Sequence, residues 1–336
     1  MKLDPEDLAA AVENGIIQPG QADALTDFLT ARAQRPGART ENFRVVNNFG
    51  EVFICIGQVM ILSAIASVPF LFGAITLPVM AVLYWLMAEF FTFRKLRLAP
   101  AIVASLGFAA LSARSYAVLA EGDLGGFWTL LLSGKYTFLL AFAVAIALAF
   151  IRFRLPFLLL PLALSATACV YFLASTIFPG LPYLAIFGAC GLAILATAIW
   201  LDSLDPLRQS RTTAYAFWLF IIGSPLTIHP LFFSVLTGGE FGSTVGVILG
   251  CALTATLLGL LLDRRSLVAS SLIYFTISIG YMSSQFATDM AMTVTVTALL
   301  IGSGVVLLGV FWYPLRSMIM RSLPQIAMFE KLPPYA

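Results

Sequence analysis

Residues 243–265, STVGVILGCALTATLLGLLLDRR, decide the fold. Positions 243–262 carry no charge, no proline and no two-residue alternation, so the run reads as one helix and not as a strand of an outer-membrane barrel. Roughly 20 apolar residues rising about 1.5 Å each cross a bilayer core, where a helix satisfies its own backbone amides. Asp263, Arg264 and Arg265 stop the run at an interface, and Leu267 opens the next one.

The same pattern recurs in both directions along the chain. Of 336 residues, 60% are apolar and 11% charged, with a mean hydropathy of +0.96. A soluble globular chain carries about a quarter charged residues, so a water-soluble fold is excluded. The expected fold is an all-α polytopic transmembrane bundle of ten spans at 49–69, 75–93, 100–119, 136–151, 155–175, 182–201, 213–236, 243–262, 267–285 and 290–313. Residues 127–134 either lengthen the fourth span or lie along the interface. The domain organisation reads as a helical hairpin at 1–34, a linker at 35–45, the bundle at 46–315 and a tail at 316–336.

Orientation follows from the basic residues. Seventeen of the nineteen Lys and Arg fall before the first span or after the even-numbered ones, as at Arg94, Arg152, Arg208, Arg264 and Arg316. Only Arg114 and Lys135 belong to the opposite side. The positive-inside rule then predicts that both termini are cytosolic. The five arginines just named are 58, 56, 56 and 52 residues apart. That spacing fits a duplicated hairpin, and equally the length of any two spans with their loops.

Residues 3–34 read as two short helices. Asp4 and Pro5 start the first, and Asn14-Gly15 stops it with a left-handed residue. Pro19 opens the second, whose Ala22, Leu25, Phe28 and Leu29 complement Leu8 and Val12. So small a pair needs something to dock on: the bundle, a second copy or a protein partner.

The stretch Glu13-Asn14-Gly15-Ile16-Ile17-Gln18-Pro19-Gly20-Gln21-Ala22, followed by Phe49-Gly50-Glu51-Val52-Phe53, resembles a bacterial family of predicted multi-pass membrane proteins catalogued only as a domain of unknown function. The hairpin is similar to short oligomerisation modules carrying the same Gly-Ile-Ile turn. The resemblance implies a polytopic body and a partner or homo-oligomer through the hairpin, and brings no catalytic residues.

Ionisable groups at membrane depth are site candidates. Glu51, Glu89 and Gln58 form an inner polar set, the two carboxylates either sharing a proton or pairing with loop arginines. Arg114, His229, Gln285, Tyr281 and Lys135 approach one outer level and are the candidate substrate-binding residues, with His229 between Pro225 and Pro230. Gly238, Gly242, Gly246 and Gly250 recur every four residues and read as a helix-packing strip. Asp202 and Asp205 read as caps, or as the paired carboxylates of a lipid-modifying enzyme.

One histidine cannot supply bis-histidine haem ligation or a multi-histidine metal centre. Cys55, Cys169, Cys190 and Cys251 fall inside spans without paired spacing, and no phosphate-cradling Gly-Lys-Ser/Thr loop occurs. No cofactor, metal, catalytic residue or nucleic-acid partner is therefore expected. The leading reading is a carrier-like or cargo-binding protein for a small neutral or amphiphilic solute. The competing reading is a scaffold or regulator that assembles through the hairpin.

Overall fold

A computed structural model describes residues 8, 11–34, 49–65, 75–132, 136–206, 208, 210–238, 241–322, 332 and 333. Every regular element among them is helical. The expected cap at Asp4 and Pro5, the linker at 35–45 and Lys135 lie outside the described residues.

The hairpin's turn is as expected. Gly15 takes φ +68°, Ile16 N–H donates to Ala11 O at 2.9 Å, and α1 (Pro19–Gln34) begins on its proline. Glycine adopts this left-handed geometry without a Cβ clash.

Among the described residues, ten apolar helices follow. They are α2 (Phe49–Ile65), α3 (Thr76–Glu89), α4 (Leu98–Glu121), α6 (Tyr136–Phe153), α7 (Leu159–Ile177), α8 (Tyr183–Ser203), α9 (Arg211–Thr237), α10 (Phe241–Leu262), α11 (Arg265–Ser284) and α12 (Met290–Val310). Nine of them are long and apolar enough to cross a membrane, counting the turns that extend α3 and α7, while α2 is 17 residues long. A π-helical turn at Phe90–Arg94 extends α3, and a 3-10 turn at Pro156–Leu158 leads into α7.

Two short helices go beyond the ten. Phe127–Leu132 forms α5, a separate helix beside α6 and not an extension of it. Trp312–Ser322 forms α13, where the sequence reading had the last span giving way to a tail. Residues 311–313 leave the span because α12 stops at Phe311 and the chain turns to dock α13 on α10.

Two hubs organise the bundle. In α4, small residues such as Ala101, Ala104, Ala109, Ala113 and Ala117 are fully covered, and α2, α3 and α6 pack round it. Gly107 lies against the ring of Tyr84, where a Cβ would collide. In the second half α9 is the hub, contacting α7, α8, α10 and α11. Between the two groups stands α7, which touches α6, α8 and α9.

The turns at one end of the bundle share a geometry that the regular arginine spacing foreshadows. Leu96, Arg154, Arg208 and Asp263 take φ of 50°, 51°, 54° and 54°, each costing on the order of 1–2 kcal/mol for a residue with a Cβ. After three of them comes one extended residue, Arg97, Leu155 or Arg264, and then the next helix. The same stop-and-restart is thus built at Leu96, Arg154 and Asp263, while the turn at Arg208 shares only the left-handed residue.

Candidate functional site

In the inner polar set, Glu51 and Gln58 are both 2% exposed on α2. Gln58 Nε2 donates to Pro100 O at 3.2 Å, and the Tyr84 hydroxyl donates to Gln58 O at 2.5 Å, which ties α2 to α3 and α4. Glu89, at the end of α3, accepts from Arg152 at the end of α6, whose guanidinium lies 4.5 Å from the Phe93 ring centre. Of the two expected arrangements for Glu89, this is the pairing with a basic residue beyond a span. The partner comes from the fourth span and not from Arg94, because α3 and α6 lie side by side.

The outer candidates divide between the two halves. Arg114, 5% exposed, sits on α4 between Ala113 and Ala117, which pack with Leu130 of α5 and Phe138 of α6. His229 lies on α9 with its Nδ1 2.9 Å from the Tyr274 hydroxyl, and Tyr274 stacks on Phe232 at 4.1 Å. Tyr281 is half-buried on α11, and Gln285 follows that helix as an exposed cap residue, its Nε2 3.4 Å from Ser284 Oγ. The helices packed on α4 are α2, α3 and α6, and those packed on α9 and α11 are others, so Arg114 stands apart from His229, Tyr281 and Gln285. Tyr274, the actual partner of His229, was not singled out in the sequence. Its signal was its place on the polar face of the ninth span.

Pro225 and Pro230 leave α9 helical, and the site of the Pro230 effect is filled by protein. Pro230 removes the N–H that would bond the Leu226 carbonyl. Gly191 of α8 packs there, and a Cβ on it would lie 2.5 Å from Leu226 C and 2.7 Å from its oxygen. Gly223 meets Leu195 N in the same seam, at 3.0 Å from an added Cβ. The strip expected to pack is placed otherwise. Gly238 ends α9, Gly242 starts α10, and a Cβ on Gly246 or Gly250 would meet nothing within 4 Å.

Asp202 and Asp205 are not arranged as a metal-binding pair. Asp205 braces Ser210, the N-cap of α9, accepting from Ser210 N at 2.5 Å, from Ser210 Oγ at 2.7 Å and from Thr213 Oγ1 at 3.0 Å. Asp202 is instead gripped by Arg264, whose Nε is 3.2 Å from Oδ2 and whose Nη2 donates to Oδ1. No cluster of three or more His, Cys, Asp or Glu is found among the described residues.

Around that pair runs a network that sequence reasoning missed. Arg208 reaches Asp263 at 2.8 Å and lies 3.7 Å from Asp202. Asp263 also accepts the Trp312 indole N–H at 2.7 Å. Arg316 donates to Leu260 O at 3.1 Å and to Pro333 O at 2.6 Å, and burial pulls its guanidinium below the ordinary value while Asp263 opposes the shift. Arg264 is 1% exposed and lies 4.9 Å from the Phe220 ring centre. The sequence signal was an aspartate ending the sixth and eighth spans on their arginine-rich side, Asp202 and Asp263. These ion pairs, with the hydrogen bonds of Trp312 and Arg316, bolt α8, α10, α11 and α13 together.

Beside the bolt lies a cleft of about 550 Å³ between α11 and α12, floored by Thr256 of α10. Val268, Leu272, Phe275 and Ile279 form one wall, and Gly304 and Leu308 belong to the other. None of the candidate site residues named from the sequence lines it. One face of α12 supplies a wall, yet no residue of α12 is buried. Its packing partners are α11 and α13.

Neither a family model, nor a curated protein, nor a solved structure matches the chain. The site is therefore read on its own geometry.

Proposed function

We propose that this multi-pass membrane protein is a carrier-like, cargo-binding protein that takes an amphiphilic molecule sideways from the bilayer into the cleft between α11 and α12. The observation that carries this reading is the cleft itself. A slot walled by aliphatic and aromatic side chains within the spans suits a hydrocarbon tail, and ligand sites are concave, mostly apolar cavities of this size. The arginine distribution supports both termini inside, and the resemblance of residues 13–22 and 49–53 supports a bacterial cytoplasmic membrane.

Native mass spectrometry of the detergent-purified chain tests the reading. Wild type is expected to retain co-purified amphiphile, and Gly304→Leu to release most of it. A Cβ on Gly304 meets nothing within 4 Å, so the leucine extends into the cleft without a backbone clash. Equal retention by both proteins refutes the cleft as the site.

A second reading, a scaffold assembling through the hairpin, is supported by Ile16, which is 75% exposed beside the turn. Deleting residues 1–34 and measuring mass in detergent separates the two, because only the scaffold reading expects an assembly to fall apart.

A further inference from the structure

We infer that the cleft selects a phospholipid with an anionic headgroup, drawn from the leaflet at the arginine-rich end, with Arg265 as the headgroup residue. The inference rests on the cleft reading above and adds the charge and the source of the ligand. Arg265 and Trp312 are the lining residues at that end of the cleft, and the guanidinium lies 5.4 Å from the indole ring centre. Trp312 is held in place by its bond to Asp263, so the platform under Arg265 is fixed before any ligand arrives.

Charge at this mouth favours an anion. Asp202 and Asp263 are the carboxylates of the network, and both are engaged, by Arg264 and by Arg208 with Trp312 respectively. Arg208 and Arg264 neutralise those two aspartates, and the Arg265 guanidinium is the charged group that lines the cleft. Arg265 is the exposed member of these three arginines. A basic pocket between transmembrane helices at the membrane surface is where anionic headgroups bind.

Shape narrows the ligand to a lipid. From Arg265 to Ile279 the α11 wall runs fourteen residues, about 21 Å at 1.5 Å per residue. Half of a hydrocarbon core about 30 Å thick is about 15 Å. The slot thus reaches from the headgroup level past the midplane, which suits one extended acyl chain. A soluble anion would leave the apolar walls unfilled, and a zwitterionic lipid would bring its own cation beside the phosphate that meets Arg265.

The full-length chain, delipidated in detergent and offered equimolar phosphatidylglycerol and phosphatidylcholine, is read by native mass spectrometry. Wild type is expected to retain phosphatidylglycerol about fivefold over phosphatidylcholine, the size expected for one arginine near a membrane surface. Arg265→Gln is expected to retain both lipids equally, Gly304→Leu to lose both, and Arg94→Gln, an exposed arginine at the same end outside the cleft, to keep the wild-type ratio. Equal retention of the two lipids by wild type, an unchanged ratio in Arg265→Gln, or an equal drop in Arg94→Gln each overturns the inference and leaves the cleft reading standing. Undiminished lipid in Gly304→Leu overturns the cleft reading itself.

Discussion

The helix pair α8–α9 and the helix pair α11–α12 both carry glycines in apolar spans, and they pack in opposite ways. Gly191 and Gly223 bring the α8 and α9 backbones together until no Cβ fits at Gly191, whereas a Cβ on Gly302, Gly304 or Gly309 of α12 would meet nothing within 4 Å. One seam is closed around a proline-freed carbonyl, and the other stands open as a cleft. The difference teaches that small residues permit close approach without producing it. What decides is whether the facing helix offers matching backbone, as α9 does at Leu226 and Thr227, or bulky side chains such as Leu272 and Phe275 on α11.

The largest effect is expected where the closed pair is bolted at its end. Asp202→Ala is expected to cost about 3–5 kcal/mol, since it strips the carboxylate from the buried Arg264. Thermal unfolding in detergent measures it, and adding Arg264→Leu is expected to recover part of the loss. Next comes the seam itself: Gly191→Ala is expected to destabilise by about 1–3 kcal/mol, because the colliding atoms are backbone and cannot rotate away. A smaller effect is expected from Tyr274→Phe, which removes the hydroxyl beside His229 Nδ1 and costs about 1 kcal/mol by the same assay. The smallest sharpens the contrast from the open side. Gly304→Ala is expected to be neutral or to stabilise by up to about 1 kcal/mol through helix propensity, and a loss equal to that of Gly191→Ala would erase the distinction between the seams.

Element type was legible in the sequence because length and hydrocarbon content leave a lipid-embedded segment no option but a helix. Within four residues, the ends of nine of the ten expected spans coincide with those of the helices, while the outer part of the first falls at 66–69, outside the described residues. Tertiary choices were not legible. The four-residue spacing of Gly242, Gly246 and Gly250 reports which side of a helix is smooth, not what faces it. Arg316 counted only as a loop charge, and its burial depends on the formation of α13, whose Trp312 and Tyr313 fell inside the last expected span. Depth along the helix correctly marked Arg114 as lying within a span. It carried no information on which half of the bundle Arg114 would join, so the outer residues looked like neighbours when α4 and α9 are separate hubs.

Pinning also has a mechanical result for α12. One end is fastened by the short turn from α11, the other by α13, whose Trp312 and Arg316 are tied to Asp263 and Leu260. A beam secured at both ends and unsupported along its flank bows most at midspan, near Leu300 and Ile301. On the reading proposed above, entry of a lipid tail would then need only a flexing of this one strut, with the ionic bolt at its foot left intact.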